Sequence, residues 1–76
     1  MKIIALTQCL ECTKGIVYFH FKGVFLGKKI SLIKVITEHS FKINEEYLLF
    51  IELVKVHNKT LEANLIESRN LNSIYY

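Results

Sequence analysis

The chain has 76 residues, a mass of 8.9 kDa and a formal net charge of +3, which allow one small domain over residues 1–76. Hydrophobic residues make up 51% and proline is absent, so the composition excludes a linker or a disordered tail. The longest apolar runs, 16–21 and 47–54, fall far short of the roughly 18 residues that span a bilayer. The apolar start at residues 3–6 is also too short for a signal peptide. These lengths predict a cytoplasmic protein with no membrane partner.

The first predicted strand covers residues 3–9. Its last residue begins the motif Cys9-Leu10-Glu11-Cys12. A single Cys-x-x-Cys pair supplies half of a tetrahedral zinc site, and the three histidines lack the spacing that would complete it. A redox role needs the motif at the start of a helix, whereas here it leads through a turn into a second strand. We therefore interpret both cysteines as ordinary reduced thiols and predict no metal and no other cofactor.

The second predicted strand covers residues 15–26 and bends at a glycine, since Lys22-Gly23 is a turn or bulge signal. Strand alternation sends successive side chains to opposite faces of the sheet. The predicted core face comprises Val17, Phe19 and Phe21, and the outer face comprises Ile16, Tyr18 and His20. A third strand is predicted over 30–36, followed by a polar connection that Phe41 and Ile43 anchor.

The last thirty residues predict a hairpin of strands 47–57 and 60–70 around a two-residue turn at Asn58-Lys59. This register places His57 opposite Thr60. The face predicted to enter the core comprises Leu48, Phe50, Val54, Val56, Leu61, Ala63 and Leu65. Glu52 and Glu67 fall on that apolar face, which predicts a bulge or a register change. The alternative is a pair of helices in this half, the first capped by Asn44, which would give an α+β fold.

Five short strands without room for crossover helices predict an all-β domain, a small five-stranded antiparallel barrel. An oligonucleotide/oligosaccharide-binding (OB) architecture is favoured over an SH3-like barrel. The reason is the second strand, which is long and bent at a glycine, as a strand shared between two halves of a barrel must be.

Catalytic machinery is not predicted. Aspartate is absent from the chain, and the neighbouring carboxylates of Glu45 and Glu46 would point to opposite faces of a strand. We therefore expect a protein that is not an enzyme and has no catalytic residues.

Basic and aromatic residues interleave between residues 14 and 34. Residues 1–42 carry seven lysines against two glutamates, a balance of +5, whereas residues 43–76 carry three basic residues against five glutamates, a balance of −2. Single-strand binding combines lysines along the phosphates with aromatic faces on which bases stack. The predicted nucleic-acid-binding residues are Lys14, Tyr18, Lys22, Phe25, Lys28, Lys29 and Lys34. The alternative interpretation places the aromatic rings in the core and the lysines in solvated turns.

The apolar content supports a second hypothesis, a protein–protein interaction or assembly module. A domain this small buries only about 60–65% of its unfolded surface, so side chains left outside favour a homodimer or a protein partner. The expected contact set is the outward side of the last hairpin: Leu49, Ile51, Leu53 and Ile66, extended by Tyr75 and Tyr76.

Overall fold

The computed structural model describes residues 1–25 and 27–72, apart from the side chains of residues 24, 25 and 28. The described residues form five strands and no helix: β1 (Lys2–Thr13), β2 (Ile16–Phe25), β3 (Lys28–Ile36), β4 (Glu46–His57) and β5 (Thr60–Asn70). The all-β prediction is confirmed, and the alternative with helices in the C-terminal half is wrong. Within the same residues, nothing long, apolar and helical is present that could cross a bilayer. Leu26, predicted to end the second strand, lies outside the described residues, as do Tyr75 and Tyr76, predicted to extend a dimer contact.

The strands close into a barrel in the order β1-β2-β3-β5-β4, with β4 returning to β1. This is a barrel of the small OB/SH3-like type that the strand pattern predicts. The expectation of a wholly antiparallel barrel needs one correction, because β3 and β5 pair in parallel, from Leu32 opposite Thr60 to Ile36 opposite Asn64. The reason is arithmetic: around a closed ring of five strands, directions cannot alternate at every step, so one neighbouring pair must be parallel.

The predicted bend in β2 is present as a bulge between His20 and Gly23, opposite the start of β3. A Cβ atom built on Gly23 would lie 3.3 Å from the ring of Phe21, which packs against the core. Glycine at this position therefore lets the Phe21 ring lie against the backbone of its own strand.

The β4–β5 hairpin has the predicted turn, with His57 opposite Thr60 and Asn58 at a φ of 54°. Beyond the turn, two register shifts interrupt the pairing, between Leu53 and Lys55 and between Phe50 and Ile51. The predicted bulge is thus confirmed. A one-residue bulge reverses which side chains face inward, so the predicted faces of β4 are wrong.

The burial of the side chains shows which residues of the β4–β5 hairpin point into the barrel. The β4 residues expected outside are inside: Leu49 and Ile51 are fully buried, and Leu53 packs against the core. The β4 residues expected inside are at least partly exposed: Leu48, Phe50, Val54 and Val56. On β5 the assignment holds, since Leu61 and Ala63 are buried, Leu65 packs on the core and Ile66 is exposed.

Three aromatic rings close one region of the core. Phe41, from the connection between β3 and β4, packs edge-on against Phe19 at 5.1 Å and against Tyr47 at 4.9 Å between ring centroids. The Tyr47 hydroxyl accepts a hydrogen bond from the backbone N–H of Lys42, which ties the connection to β4. Of the two predicted anchors, Phe41 is therefore confirmed, whereas Ile43 is exposed and does not anchor the connection.

Candidate nucleic-acid interface

The outer face of β2 and β3 carries an aromatic ring beside a lysine. Tyr18 lies opposite Lys34 in the β2–β3 register, and both side chains are half-buried. Their strand neighbours Val17, Phe19, Ile33 and Val35 are fully buried in the barrel. The alternation therefore turns Tyr18 and Lys34 outward together, as the sequence predicts for Tyr18.

Two turns bound this face at opposite ends of β3. At one end, the carbonyl oxygen of Gly15 in the β1–β2 turn accepts a hydrogen bond from the N–H of Thr37. Gly15 has a φ of 86°, a conformation that glycine adopts without steric cost. At the other end, the carbonyl oxygen of Lys59 in the β4–β5 turn accepts hydrogen bonds from the N–H groups of Ser31 and Leu32. The turns thus fix exposed Lys14 and exposed Lys59 at the two ends of the face.

The face also includes a second cross-strand pair that the predicted site left out. His20 lies opposite Leu32, one step along the sheet from the pair of Tyr18 and Lys34. His20 is exposed, and its outward direction followed from the alternation of the second strand. Lys59 could not be assigned in this way, because its place beside β3 depends on the parallel pairing with β5.

The other predicted lysines do not join this face as one cluster. The ammonium group of Lys22 forms a salt bridge with the carboxylate of Glu46 on β4, which directs its side chain across β1. Lys29 is exposed near the start of β3, opposite Val24. The side chains of Phe25 and Lys28, also predicted to bind nucleic acid, lie outside the described residues. Of the predicted residues, the register brings together Tyr18 and Lys34, and Lys14 lies in the turn that ends the face.

The charges around the pair are mixed. Glu11 on β1 lies opposite Tyr18, and Glu62 on β5 lies beside Lys34, while Lys55 on β4 lies opposite Glu62. These carboxylates reduce the positive potential directly over the pair, so the lysines at the turns matter for attraction of an anionic strand. At the level of strands, the lysine-rich first half forms one wall of the barrel, because β1, β2 and β3 are consecutive neighbours.

The two cysteines lie on β1 at a bulge rather than at a helix start. The register with β2 shifts between Cys9 and Glu11, which turns both Cys9 and Cys12 toward the core. Cys9 is fully buried, and its backbone N–H donates to the carbonyl oxygen of Glu45. Across the described ranges, no three His, Cys, Asp or Glu side chains come together as metal ligands. Burial, and secondarily the neighbouring Cys12, raises the pKa of the Cys9 thiol above its usual value.

We expect Cys9 to resist alkylation in the folded protein, because the thiolate is the reactive form and both burial and the raised pKa disfavour it. The assay is run at about pH 7.5, roughly one unit below the pKa of a free thiol. Iodoacetamide should modify Cys9 in the folded protein at least about 100-fold more slowly than in urea, since reaction requires opening of the barrel. Cys12, which is partly exposed, should react first. Peptide mass spectrometry of timed samples measures both rates, and equal rates for Cys9 and Cys12 in the folded protein would contradict the full burial of Cys9.

Comparison of the chain with protein families, with curated proteins and with solved structures finds no match. The residues of this chain and their geometry are therefore the basis for its proposed function.

Proposed function

We propose that the protein is a small, non-enzymatic barrel that binds single-stranded nucleic acid across the outer face of β2 and β3. The observation that carries the proposal is the cross-strand pair of Tyr18 and Lys34, turned outward at the centre of the face. In OB-type barrels, the face of strands 2 and 3 and the two flanking loops form the ligand site. The pair lies on the outer side of β2 and β3, and this likeness supports the proposal.

The chemistry assigned to each residue follows from its position. The ring of Tyr18 provides a surface on which one base stacks, an interaction that tolerates any base sequence. Lys34, the cross-strand partner of Tyr18, neutralises an adjacent phosphate. Lys14 at one turn and Lys59 at the other extend the phosphate contacts along the strand. Because the nearby glutamates oppose an anion, we expect moderate affinity that depends strongly on salt.

Fluorescence anisotropy with a labelled oligothymidine at several salt concentrations tests this proposal. Tyr18→Ala should weaken binding by about 1–3 kcal/mol, roughly 5- to 150-fold in Kd, whereas Tyr18→Phe should retain most of the affinity because it keeps the ring. Lys34→Gln should reduce the slope of log Kd against log salt by about 0.7, the contribution of one phosphate contact to a single strand.

Lys2→Gln is the matched control, since Lys2 is an exposed strand lysine opposite Glu52 on the β1–β4 side of the barrel. It should leave the salt slope nearly unchanged. Equal effects of Lys2→Gln and Lys34→Gln would contradict the assigned face. Absence of salt-dependent binding by the unaltered chain below about 100 µM would contradict nucleic-acid binding itself.

A further inference from the structure

A second outer surface of the barrel, formed by β1 and β4, carries apolar side chains that are exposed to solvent. On β1, Ile4 and Leu6 are exposed, and on β4 the side chains of Leu48 and Phe50 opposite them are partly exposed. Ile4 lies opposite Phe50, and Leu6 lies opposite Leu48. Exposed apolar residues that stand singly need no explanation, but four in two adjacent cross-strand pairs form a contiguous patch. We call these four residues the outer β1–β4 face.

The next strand borders this face with one charge of each sign. On β5, Glu67 lies opposite Phe50 and Arg69 lies opposite Leu48. Within the chain, Nε of Arg69 lies 3.3 Å from Oε2 of Glu67, and its guanidinium lies 6.0 Å from the centre of the Phe50 ring. The surface thus consists of two parallel rows. One row is Ile4, Phe50 and Glu67, and the other is Leu6, Leu48 and Arg69.

This arrangement is complementary to itself. Consider a two-fold axis that lies in the plane of the face, perpendicular to the strands and midway between the rows. This axis places the first row of one copy against the second row of the other copy. Ile4 then meets Leu6 of the second copy, Phe50 meets Leu48, and Glu67 meets Arg69. Apolar groups contact apolar groups, and the contact between Glu67 and Arg69 occurs twice in the dimer, as an isologous interface requires.

We propose that the protein forms a homodimer through the outer β1–β4 face, with the pairs of Glu67 and Arg69 setting its orientation. A standard interface covers about 800 Å² per partner, which is about a sixth of the 5062 Å² surface of this chain. The two rows supply the centre of such a contact, and exposed Ile66, next to Glu67 at the β5 bulge, extends it. Glu46 and Glu52, which flank the rows, already pair within the chain with Lys22 and with the Met1 ammonium.

The proposed dimer leaves the β2–β3 face free. Barrel order separates the two surfaces, since β4 lies between β1 and β5 while β2 and β3 lie on the other side. A dimer would therefore present two nucleic-acid faces pointing away from each other. Self-association and oligonucleotide binding can be measured separately, so failure of one proposal does not imply failure of the other.

Sedimentation equilibrium at low salt, from about 1 to 200 µM, tests the dimer across the range of weak to moderate association. The unaltered chain should approach twice its 8.9 kDa mass as concentration rises. Leu6→Glu places a charge in the apolar centre and should weaken association roughly 100-fold or more. Ile36→Glu is the matched control, because Ile36 is 45% exposed and Leu6 43% exposed, but Ile36 lies on the β2–β3 side. It should leave association unchanged, and circular dichroism should show both variants folded.

A charge exchange tests the orientation of the dimer. Glu67→Arg and Arg69→Glu should each weaken association about five- to tenfold, since each dimer contains two such contacts. The double variant Glu67→Arg/Arg69→Glu restores opposite charges and should recover the original association. A monomer at all concentrations, insensitivity to Leu6→Glu, or disruption by Ile36→Glu would overturn the proposed face. Failure of the double variant to recover association would overturn the proposed axis.

Discussion

A carboxylate introduced at Ile51 is expected to unfold the domain, whereas the same change at Val54, in the same strand, is expected to leave it folded. Ile51 is 0% exposed and pairs with Ile3 on one side and Leu65 on the other. An unpaired charge there costs several kcal/mol. A chain of this length has roughly 4–11 kcal/mol of stability in total, so the variant loses most or all of it.

Val54→Glu is the matched control because Val54 is 52% exposed, in the interruption of register between Leu53 and Lys55. Its free energy of unfolding should change by no more than about 0.5 kcal/mol. Circular dichroism and urea denaturation of the two variants provide the comparison. If Ile51→Glu were folded and Val54→Glu unfolded, Ile51 would point outward and Val54 inward, as the sequence alone predicts.

Truncation of Phe41 to alanine is expected to lower the free energy of unfolding by about 3–5 kcal/mol, although the residue lies in a connection rather than in a strand. Its ring is 8% exposed and packs edge-on against Phe19 and Tyr47, so its removal leaves a cavity that two strands border. Ile43, two residues further along, is 55% exposed. Ile43→Ala should cost no more than about 0.5 kcal/mol.

Urea denaturation followed by tyrosine fluorescence or circular dichroism measures both changes on one scale. Equal losses for Phe41→Ala and Ile43→Ala would mean that the connection is held along its length rather than by one ring. A loss below about 1 kcal/mol for Phe41→Ala would show that the site collapses around the missing ring.

The strands were predictable because each is a run of β-branched and aromatic residues bounded by turn signals, such as Gly15 and Asn58-Lys59. The faces of β2 were predictable as well, since polar His20 and Lys22 mark positions that do not belong in a core. The faces of β4 were not. Both alternating sets between Tyr47 and Val54 are largely apolar, and the extra β4 residue at Val54 decides which set enters the barrel.

In the candidate site too, some residue positions could be predicted from the local sequence and others could not. Tyr18 and Lys34 depend on alternation within neighbouring strands, which local sequence reports. Lys22 depends on Glu46, which approaches it because β4 returns to β1 at closure of the barrel. Lys59 depends likewise on the parallel pairing of β5 with β3. Contacts created by closure have no local signal in the chain.

Closure of the barrel also bears on the risk of aggregation. Segments rich in β-branched and apolar residues, low in charge and without proline are those that stack into cross-β fibrils when their backbone is unpaired. Residues 32–36 and 46–52 have much of this character. In the folded chain both are inner strands: 32–36 pairs with β2 and β5, and 46–52 pairs with β1 and β5. The protection of these segments is therefore a property of the closed state and decreases with any loss of its stability.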